Sequence, residues 1–180
     1  MPSAYKDTRK SRRSKEGAAL MEEDVRKIIE HIAKDGRSDI QKSHIQHGTT
    51  TVFDHSVNVA ITSLRLSEKL NAAGIRVNRR ELIRGALLHD YFLYDWHEKD
   101  RSHSWHGFRH PATALKNARN DFELTRVEED IISRHMFPLT LRPPMCKEAW
   151  IVCAADKYCA LRETAYTIKA KKKLTKKRNI

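Results

Sequence analysis

The sequence has little of what turns and strands require. Its 180 residues include only six Gly and five Pro, and few segments alternate between apolar and polar residues as strands do. Apolar residues mostly recur at intervals of three and four, which is typical of amphipathic helices. We therefore expect an all-α domain, and the chain is long enough to bury a substantial core.

Signals for disulfides, membrane insertion and secretion are also lacking. The cysteines Cys146, Cys153 and Cys159 are odd in number and show no CxxC spacing, which argues against a disulfide framework. No run reaches the roughly 18 apolar residues of a membrane span. The basic N-terminus has no apolar segment of the kind that directs secretion. The sequence thus predicts a cytoplasmic protein with reduced thiols and no membrane association.

The net charge of +12 lies entirely at the two ends of the chain. Residues 1–15 contribute +5 and residues 169–180 contribute +7, so residues 16–168 carry 22 basic and 22 acidic side chains. This neutral body argues against a dedicated polynucleotide groove. Nucleic acid could bind the basic tails, but solvated termini are the favoured interpretation. We divide the chain into a basic extension (1–18), a helical domain (19–168) and a basic tail (169–180).

Periodicity and capping signals predict a bundle of about six helices. Their approximate ranges are 20–34, 53–72, 79–91, 110–120, 125–136 and 146–165. Asn78 is predicted to cap the third helix, and Thr125 begins a Thr-x-x-Glu capping box. Pro111 is expected at the first turn of its helix, where a missing N–H costs nothing. Residues 37–50 and 137–145 are predicted to be loops.

The adjacent pair His89-Asp90 is the most informative feature of the chain. It ends the run ELIRGALLHD, where helical spacing puts Asp90 on the same stripe as Ile83 and Leu87. A carboxylate in an apolar interior costs several kcal/mol unless a cation meets it. A metal ion held by this pair and by other imidazoles would remove that cost.

Four further residues have settings like those of the pair. Each lies on a different predicted helix or at its end, and the successive spacings along the chain are 34, 20, 25 and 21 residues. One ligand per helix, converging on the interior, is how helical bundles build metal sites. Any one such residue is more often structural, but six together are hard to explain separately. The four are His55, His110, His135 and Asp156.

The ordered pattern H…HD…H…H…D resembles the HD-domain superfamily of metal-dependent phosphohydrolases. The resemblance covers roughly residues 50–165 and rests on GALLHD, followed in order by RHPATAL, SRHMFPL and AADKYCAL. It implies a helical bundle, in agreement with the periodicity. It also implies two metal ions bridged by Asp90. The implied ligands of the first metal are His55, His89, Asp90 and Asp156, and those of the second are His110, His135 and Asp90.

This mixed ligand set suits several divalent transition metals. Fe and Mn are expected first, with Ni and Zn as alternatives. Two metals would acidify a bridging water into a hydroxide nucleophile and stabilise charge that develops on phosphoryl oxygens. The resemblance therefore implies a phosphohydrolase that acts on a small phosphoester, for which we expect a nucleotide or a related phosphorylated metabolite.

Three cationic residues adjoin these ligands in sequence, namely Arg109, Arg134 and Lys157. We predict that Arg109 and Lys157, together with Asp90, take part in catalysis by contacting phosphate and the reacting water. Neighbouring residues on a helix point about 100° apart, so a solvent-facing charge is the competing interpretation for each cation. For Arg134 that interpretation is slightly favoured.

The segment after the HD pair departs from the family pattern. Many HD hydrolases have Lys three residues after the HD aspartate, where this chain has Leu93. Another group must supply that positive charge, or the chemistry differs. The loop 92–106 is placed to cover the site, and its His103 and His106 would either meet substrate or be exposed.

Two other functions are compatible with the same residues. Some HD-fold proteins use a di-iron centre to activate oxygen, and Leu93 in place of Lys favours this alternative slightly. A non-catalytic helical protein could instead keep the metal for structure and bind nucleic acid through its basic tails. The sequence favours the phosphohydrolase and leaves the exact substrate, the metal and the oligomeric state open.

Overall fold

A computed structural model describes residues 4–47, 49–93 and 106–178, and helices account for nearly all regular structure within them. The helices are α1 (Ala4–Asp35), α2 (Ser38–Ser43), α3 (Val52–Ala72), α4 (Arg79–Leu88), α5 (His106–Asp121), α6 (Arg126–Arg134) and α7 (Lys147–Arg178). Two short antiparallel strands, β1 (Ile45–His47) and β2 (Thr50–Thr51), precede α3. The predicted all-α class is confirmed, with seven helices in the described residues.

The core lies between α3, α4, α6 and α7. Helix α3 packs against α4 and α7, and α6 packs against α4, α5 and α7. Each helix of the core buries one apolar face, as shown by Leu64 on α3, Leu82 on α4 and Val152 on α7, which are all fully buried.

None of the helices that the structure describes has the length and apolar character needed to cross a membrane.

Capping side chains determine where three of these helices begin. Thr51 Oγ1 accepts a hydrogen bond from Asp54 N at the start of α3, and Asn78 Oδ1 accepts one from Glu81 N at the start of α4. Thr125 and Glu128 form the reciprocal capping box of α6. The predicted caps Asn78 and Thr125 are confirmed. Because each cap fixes the first turn, it also fixes which face the later residues of that helix present.

Several helix boundaries differ from the sequence-based expectation. Helix α1 begins at Ala4 rather than near residue 20, because its Lys and Arg are good helix formers. Helix α4 ends at Leu88 rather than near residue 91, and a tight turn follows in which Phe92 N donates to Asp90 O at 2.8 Å. The proposed limits at residues 18 and 168 fall inside α1 and α7, which continue through them.

Two local expectations were wrong. Residues 37–50 contain α2 and β1 rather than only a loop, because elements of six and three residues are too short to produce a clear periodicity. Pro111 lies inside α5 rather than in its first turn. The helix continues upstream of the proline, which has no N–H to donate to the preceding turn.

Helix α4 approaches α6 closely at Gly85. A Cβ atom at this position would lie 2.4 Å from Cδ1 of Ile131 and 3.1 Å from its Cβ. His89 follows Gly85 by one turn, and His135 follows Ile131 by one turn. The close helix contact therefore brings these two imidazole rings within 4.9 Å of each other, centroid to centroid.

Replacement of Gly85 by Ala is expected to destabilise the fold. Helix propensity favours Ala by about 1 kcal/mol, but overpacking against Ile131 costs about 1–3 kcal/mol. We expect a net loss in the free energy of unfolding, measured by urea denaturation. The matched control is Gly17→Ala in α1, where an added Cβ meets nothing within 4 Å. Equal stabilisation by both substitutions would contradict the close approach of α4 and α6.

Candidate metal centre

The structure brings all six predicted ligands together in the interior of the bundle. Five helices supply them, either from within the helix or from the residues that follow its last turn. Each of these side chains is buried, with 8% or less of the residue exposed. They are His55 on α3, His89 and Asp90 after α4, His110 on α5, His135 after α6 and Asp156 on α7. Their role as ligands stays a prediction.

One group of potential ligand atoms comes from His55, His89 and Asp156, which lie within 4.8 Å of one another. Nε2 of His55 is 3.1 Å from Oδ1 of Asp156. Nε2 of His89 is 3.8 Å from the same oxygen. Two imidazole nitrogens therefore face one carboxylate oxygen, which is an arrangement that a shared cation stabilises.

A second group surrounds Asp90. Nε2 of His110 and Nε2 of His135 lie 2.8 Å apart, and they are 3.2 Å and 3.4 Å from Oδ1 of Asp90. The other oxygen, Oδ2, lies 3.4 Å from Nε2 of His89. The two oxygens of Asp90 thus face different imidazoles, as expected of a carboxylate between two cation positions.

Backbone carbonyls fix the orientation of two of these rings. Nδ1 of His89 donates to the carbonyl of Ala86 at 2.7 Å, and Nδ1 of His135 donates to the carbonyl of Ile132 at 2.9 Å. Because a carbonyl oxygen only accepts, Nδ1 must carry the proton in each ring. The neutral ring then presents the lone pair of Nε2 to the centre of the site, as metal-binding histidines do.

Two glutamines donate hydrogen bonds to Asp90. Gln46 Nε2 donates to Asp90 Oδ2 at 2.7 Å, and Gln41 Nε2 donates to the backbone carbonyl of Asp90 at 3.1 Å. Both glutamines are buried. They belong to the segment that was expected to be a polar loop, so no apolar periodicity marked them in the sequence.

The electrostatics of the cluster favour ionised carboxylates. Burial by itself raises the pKa of Asp90, but the charge of His89 and hydrogen bonds with imidazoles hold it well below its usual value. The pKa of Asp156 is lowered in the same way, against its burial, by hydrogen bonds with His55 and His89. These carboxylates therefore require positive charge close by.

Protons on imidazoles or metal ions can supply that charge. Burial lowers the pKa of His55, but hydrogen bonds to Asp156 and Glu163 outweigh it and raise the value to about 9. Burial also opposes protonation of His89, yet Asp90 raises its pKa well above the usual value. For His135 burial dominates, and the pKa is lowered. A metal ion would replace the protons on His55 and His89.

The residues present fit divalent metal ions. Among the described residues, His89 Nε2 and Asp90 Oδ1 are buried without a hydrogen bond of acceptable geometry. Ligand atoms about 2.0–2.2 Å from one ion lie roughly 3–3.5 Å from each other. The 2.8 Å, 3.2 Å and 3.4 Å separations among His110, His135 and Asp90 are close to that range. Imidazole and carboxylate donors suit transition metals.

The predicted phosphate-binding cations take different positions. Lys157 is half-buried, and its Nζ donates to the carbonyl of His135 at 2.7 Å and lies 3.9 Å from Oδ2 of Asp156. Arg109 is exposed and forms no ion pair with any described residue. Lys157 is therefore at the edge of the cluster. Phosphate binding by the exposed Arg109 stays a prediction.

Arg134 binds the loop that follows α6. Its Nη1 donates to the carbonyl of Pro143 at 2.8 Å, and its Nε pairs with Oδ1 of Asp130 at 2.8 Å. The guanidinium thus attaches the loop to α6 and is not directed at the cluster. His103 and most of the expected covering loop lie outside the described residues, as does the side chain of His106.

Two residues missed by the sequence-based reasoning lie behind His55. Nδ1 of His55 is 2.9 Å from Oε2 of Glu163, and Asn58 Nδ2 donates to Oε1 of Glu163 at 3.0 Å. A signal was present in the sequence. Glu163 follows Asp156 by two helical turns, and Asn58 follows His55 by about one, so each shares a helix face with a predicted ligand.

The fold and the site together define a helical bundle with a buried His/Asp cluster that can hold divalent metal. The model of the HD domain family matches residues 52–161. This match covers more than half of the chain and includes all six predicted ligands, and the chain belongs to the HD domain family. Membership implies metal-dependent chemistry of the hydrolase type. A search of curated proteins gave no match, and a search of solved structures also gave none.

Asp90→Asn is expected to lower the affinity for every bound metal by at least 10-fold, because a neutral amide replaces the carboxylate shared by both groups of imidazoles. Elemental analysis after equilibration with Mn²⁺ measures this loss. The control is Asp130→Asn, which changes a carboxylate that binds the backbone of Met145 and Cys146. Full metal content in the Asp90 variant would show that Asp90 is not a shared ligand.

Proposed function

We propose that this protein is a metal-dependent phosphohydrolase that cleaves a small phosphoester, with a nucleotide or a related phosphorylated metabolite as its substrate. One observation carries the proposal: the buried carboxylate of Asp90 is surrounded by imidazole nitrogens, and no Lys or Arg of the described chain pairs with it. A divalent metal is the cation that this donor set binds best. The family match supports the same class of chemistry.

The two groups of imidazoles suggest two metal ions that share Asp90. Oδ2 faces the side of His89, while Oδ1 faces His110 and His135. We assign His55, His89, Asp156 and Asp90 to a first ion, and His110, His135 and Asp90 to a second. Fe or Mn is proposed before Ni or Zn, although carboxylate and imidazole donors suit all four metals.

Bound metal ions would supply the chemistry of hydrolysis, and the chain prepares the site for them in two ways. Bound divalent ions would lower the pKa of water and offset negative charge on phosphoryl oxygens. The backbone carbonyls of Ala86 and Ile132 hold two rings in the binding tautomer. Gln46 donates to Oδ2 of Asp90, so that Oδ1 of Asp90 remains directed at His110 and His135.

Lys157 is the proposed source of the positive charge that Leu93 cannot provide. Leu93 is partly buried and packs against the hydrophobic core. The side chain of Lys157 keeps 41% of its surface exposed, and its ammonium lies beside Asp156. It can therefore contact a phosphate oxygen from the edge of the cluster while it remains bound to the carbonyl of His135. Arg109, which is exposed next to His110, is proposed as a second contact.

The proposal is tested by phosphate release from a broad panel of nucleotides and phosphomonoesters. The protein is stripped of metal and reloaded with Fe²⁺, Mn²⁺, Ni²⁺ or Zn²⁺. We expect turnover with at least one ion, none in the stripped protein, and strong loss in Asp90→Asn. If the metal-loaded protein releases no phosphate from any member of the panel, the proposed phosphohydrolase activity is refuted.

The same experiment separates the two competing functions. Leu93 is apolar and packs against the hydrophobic core, so it supplies no cation at that position, which slightly favours an oxygen-activating di-iron protein. Oxygen uptake by the iron-loaded protein without phosphate release would support that alternative. Salt-dependent binding of RNA or DNA without any turnover would instead support a non-catalytic role for the basic tails.

Lys157→Met is expected to reduce kcat/KM for the phosphoester on the order of 100-fold, because a preorganised cation near the phosphoryl group is lost while the length of the side chain is kept. Metal content should stay unchanged. Lys147→Met, at an exposed position at the start of the same helix, is the control. Unchanged kinetics in the Lys157 variant would show that this lysine has no catalytic role and only donates a hydrogen bond to the carbonyl of His135.

A further inference from the structure

A carboxylate–imidazole contact lies behind the proposed first metal position. His55 places Nε2 toward Asp156 at 3.1 Å and Nδ1 toward Glu163 at 2.9 Å. Glu163 has only 7% of its surface exposed. The ring of His55 is therefore held between two carboxylates, and that of Asp156 also lies 3.8 Å from Nε2 of His89.

The carboxylate of Glu163 is itself held in place. Asn58 Nδ2 donates to Oε1 at 3.0 Å, which leaves Oε2 directed at His55. Asn58 and His55 share one face of α3, and Glu163 and Asp156 share one face of α7. The contacts between these two helices thus align the ring, its acceptor and the group that orients the acceptor.

His55 needs such a partner because of its place in the helix. His89 and His135 follow the last turns of α4 and α6, where backbone carbonyls lack intrahelical partners and can accept from Nδ1. His55 is the fourth residue of α3, and the carbonyls of that turn are used by the helix itself. A side-chain acceptor is therefore required to fix its tautomer.

An ionised carboxylate can only accept a hydrogen bond. Contact with Glu163 therefore keeps a proton on Nδ1 of His55, and a neutral ring then carries its lone pair on Nε2. Without this acceptor the proton could occupy Nε2, and that tautomer cannot bind a cation from the side of Asp156. Carboxylates behind metal-binding histidines have this effect in general, and their loss typically costs 10- to 100-fold in metal affinity.

We propose that Glu163 is a positioning residue that holds His55 with Nε2 facing the first metal ion. This inference rests on the proposed function only in assigning a metal to His55, and it requires no particular substrate. Glu163 lies beyond residues 52–161, which match the family model, so the metal centre extends past the matched segment.

The test uses Zn²⁺ alone, titrated in competition with a chelator. Glu163→Ala is expected to weaken the tightest Zn²⁺ site by roughly 10- to 100-fold. Glu163→Gln should lose less, because the amide oxygen can still accept from Nδ1 if Asn58 turns its own oxygen toward the new amide. The matched controls are Glu148→Ala and Glu148→Gln, since Glu148 is equally buried on α7 but accepts from the backbone of Asn78 at 3.0 Å.

A second readout reports the tautomer directly. In the Zn²⁺-loaded wild-type protein, ring ¹⁵N NMR signals should show a protonated Nδ1 and a metal-bound Nε2 for His55. Glu163→Ala should shift the Nδ1 signal and speed exchange of its proton, whereas the Glu148 variants should leave both unchanged. If Glu163→Ala does not fold, Glu163→Gln carries the comparison through the same shift.

Wild-type Zn²⁺ affinity in Glu163→Ala would overturn the proposal, and so would an equal loss of affinity in Glu148→Ala. Selective loss in the Glu163 variants, with a changed Nδ1 signal, would support it. Wild-type protein that binds Zn²⁺ but hydrolyses no phosphoester with Fe²⁺, Mn²⁺, Ni²⁺ or Zn²⁺ would refute the proposed phosphohydrolase activity and leave the comparison between Glu163 and Glu148 valid. Wild-type protein that binds no Zn²⁺ would overturn the proposed role of Glu163, while the phosphohydrolase would still be judged by turnover with Fe²⁺, Mn²⁺ or Ni²⁺.

Discussion

The structure depends on positive charge that balances the negative charge of two buried carboxylates. Asp90 and Asp156 have only 2% and 8% of their surface exposed, and removing an ionised group from water costs several kcal/mol even after the protein relaxes. Among the residues that the structure describes, imidazoles rather than Lys or Arg surround Asp90. Because neutral imidazoles bind metal whereas protonated ones repel each other, the cluster favours a metal ion over many protons. The bundle is organised so that five helices meet at this one point.

The imidazole rings are oriented by different acceptors, depending on whether the histidine follows a helix or lies near its start. His89 and His135 come directly after a helix, and the free carbonyls of its last turn set their tautomers. His55 lies in the first turns of a helix and contacts Glu163 instead. The absence of a Cβ atom at Gly85 allows α4 and α6 to bring His89 and His135 together. Packing, capping and ligand orientation are therefore parts of the same arrangement.

Much of the site could be predicted because burial and periodicity leave a record in the sequence. A carboxylate such as Asp90 on an apolar stripe is conspicuous, and the same signal marks Asp156 on α7. Gln46 left no such record, because it lies in a short strand and reaches Asp90 only through the tertiary fold. Glu163 did share a face with Asp156, but a lone glutamate near a basic tail resembles a surface charge until its partner on α3 is known.

The sequence by itself determined the helical class, the caps at Asn78 and Thr125, and the six residues that would converge. These follow from local spacing and from the cost of burying charge, both of which are properties of short segments. Only the tertiary structure decided that Lys157 lies at the edge of the cluster and that Arg134 attaches a loop. The direction of a long side chain depends on which partners distant segments bring within reach, and no local pattern contains that information.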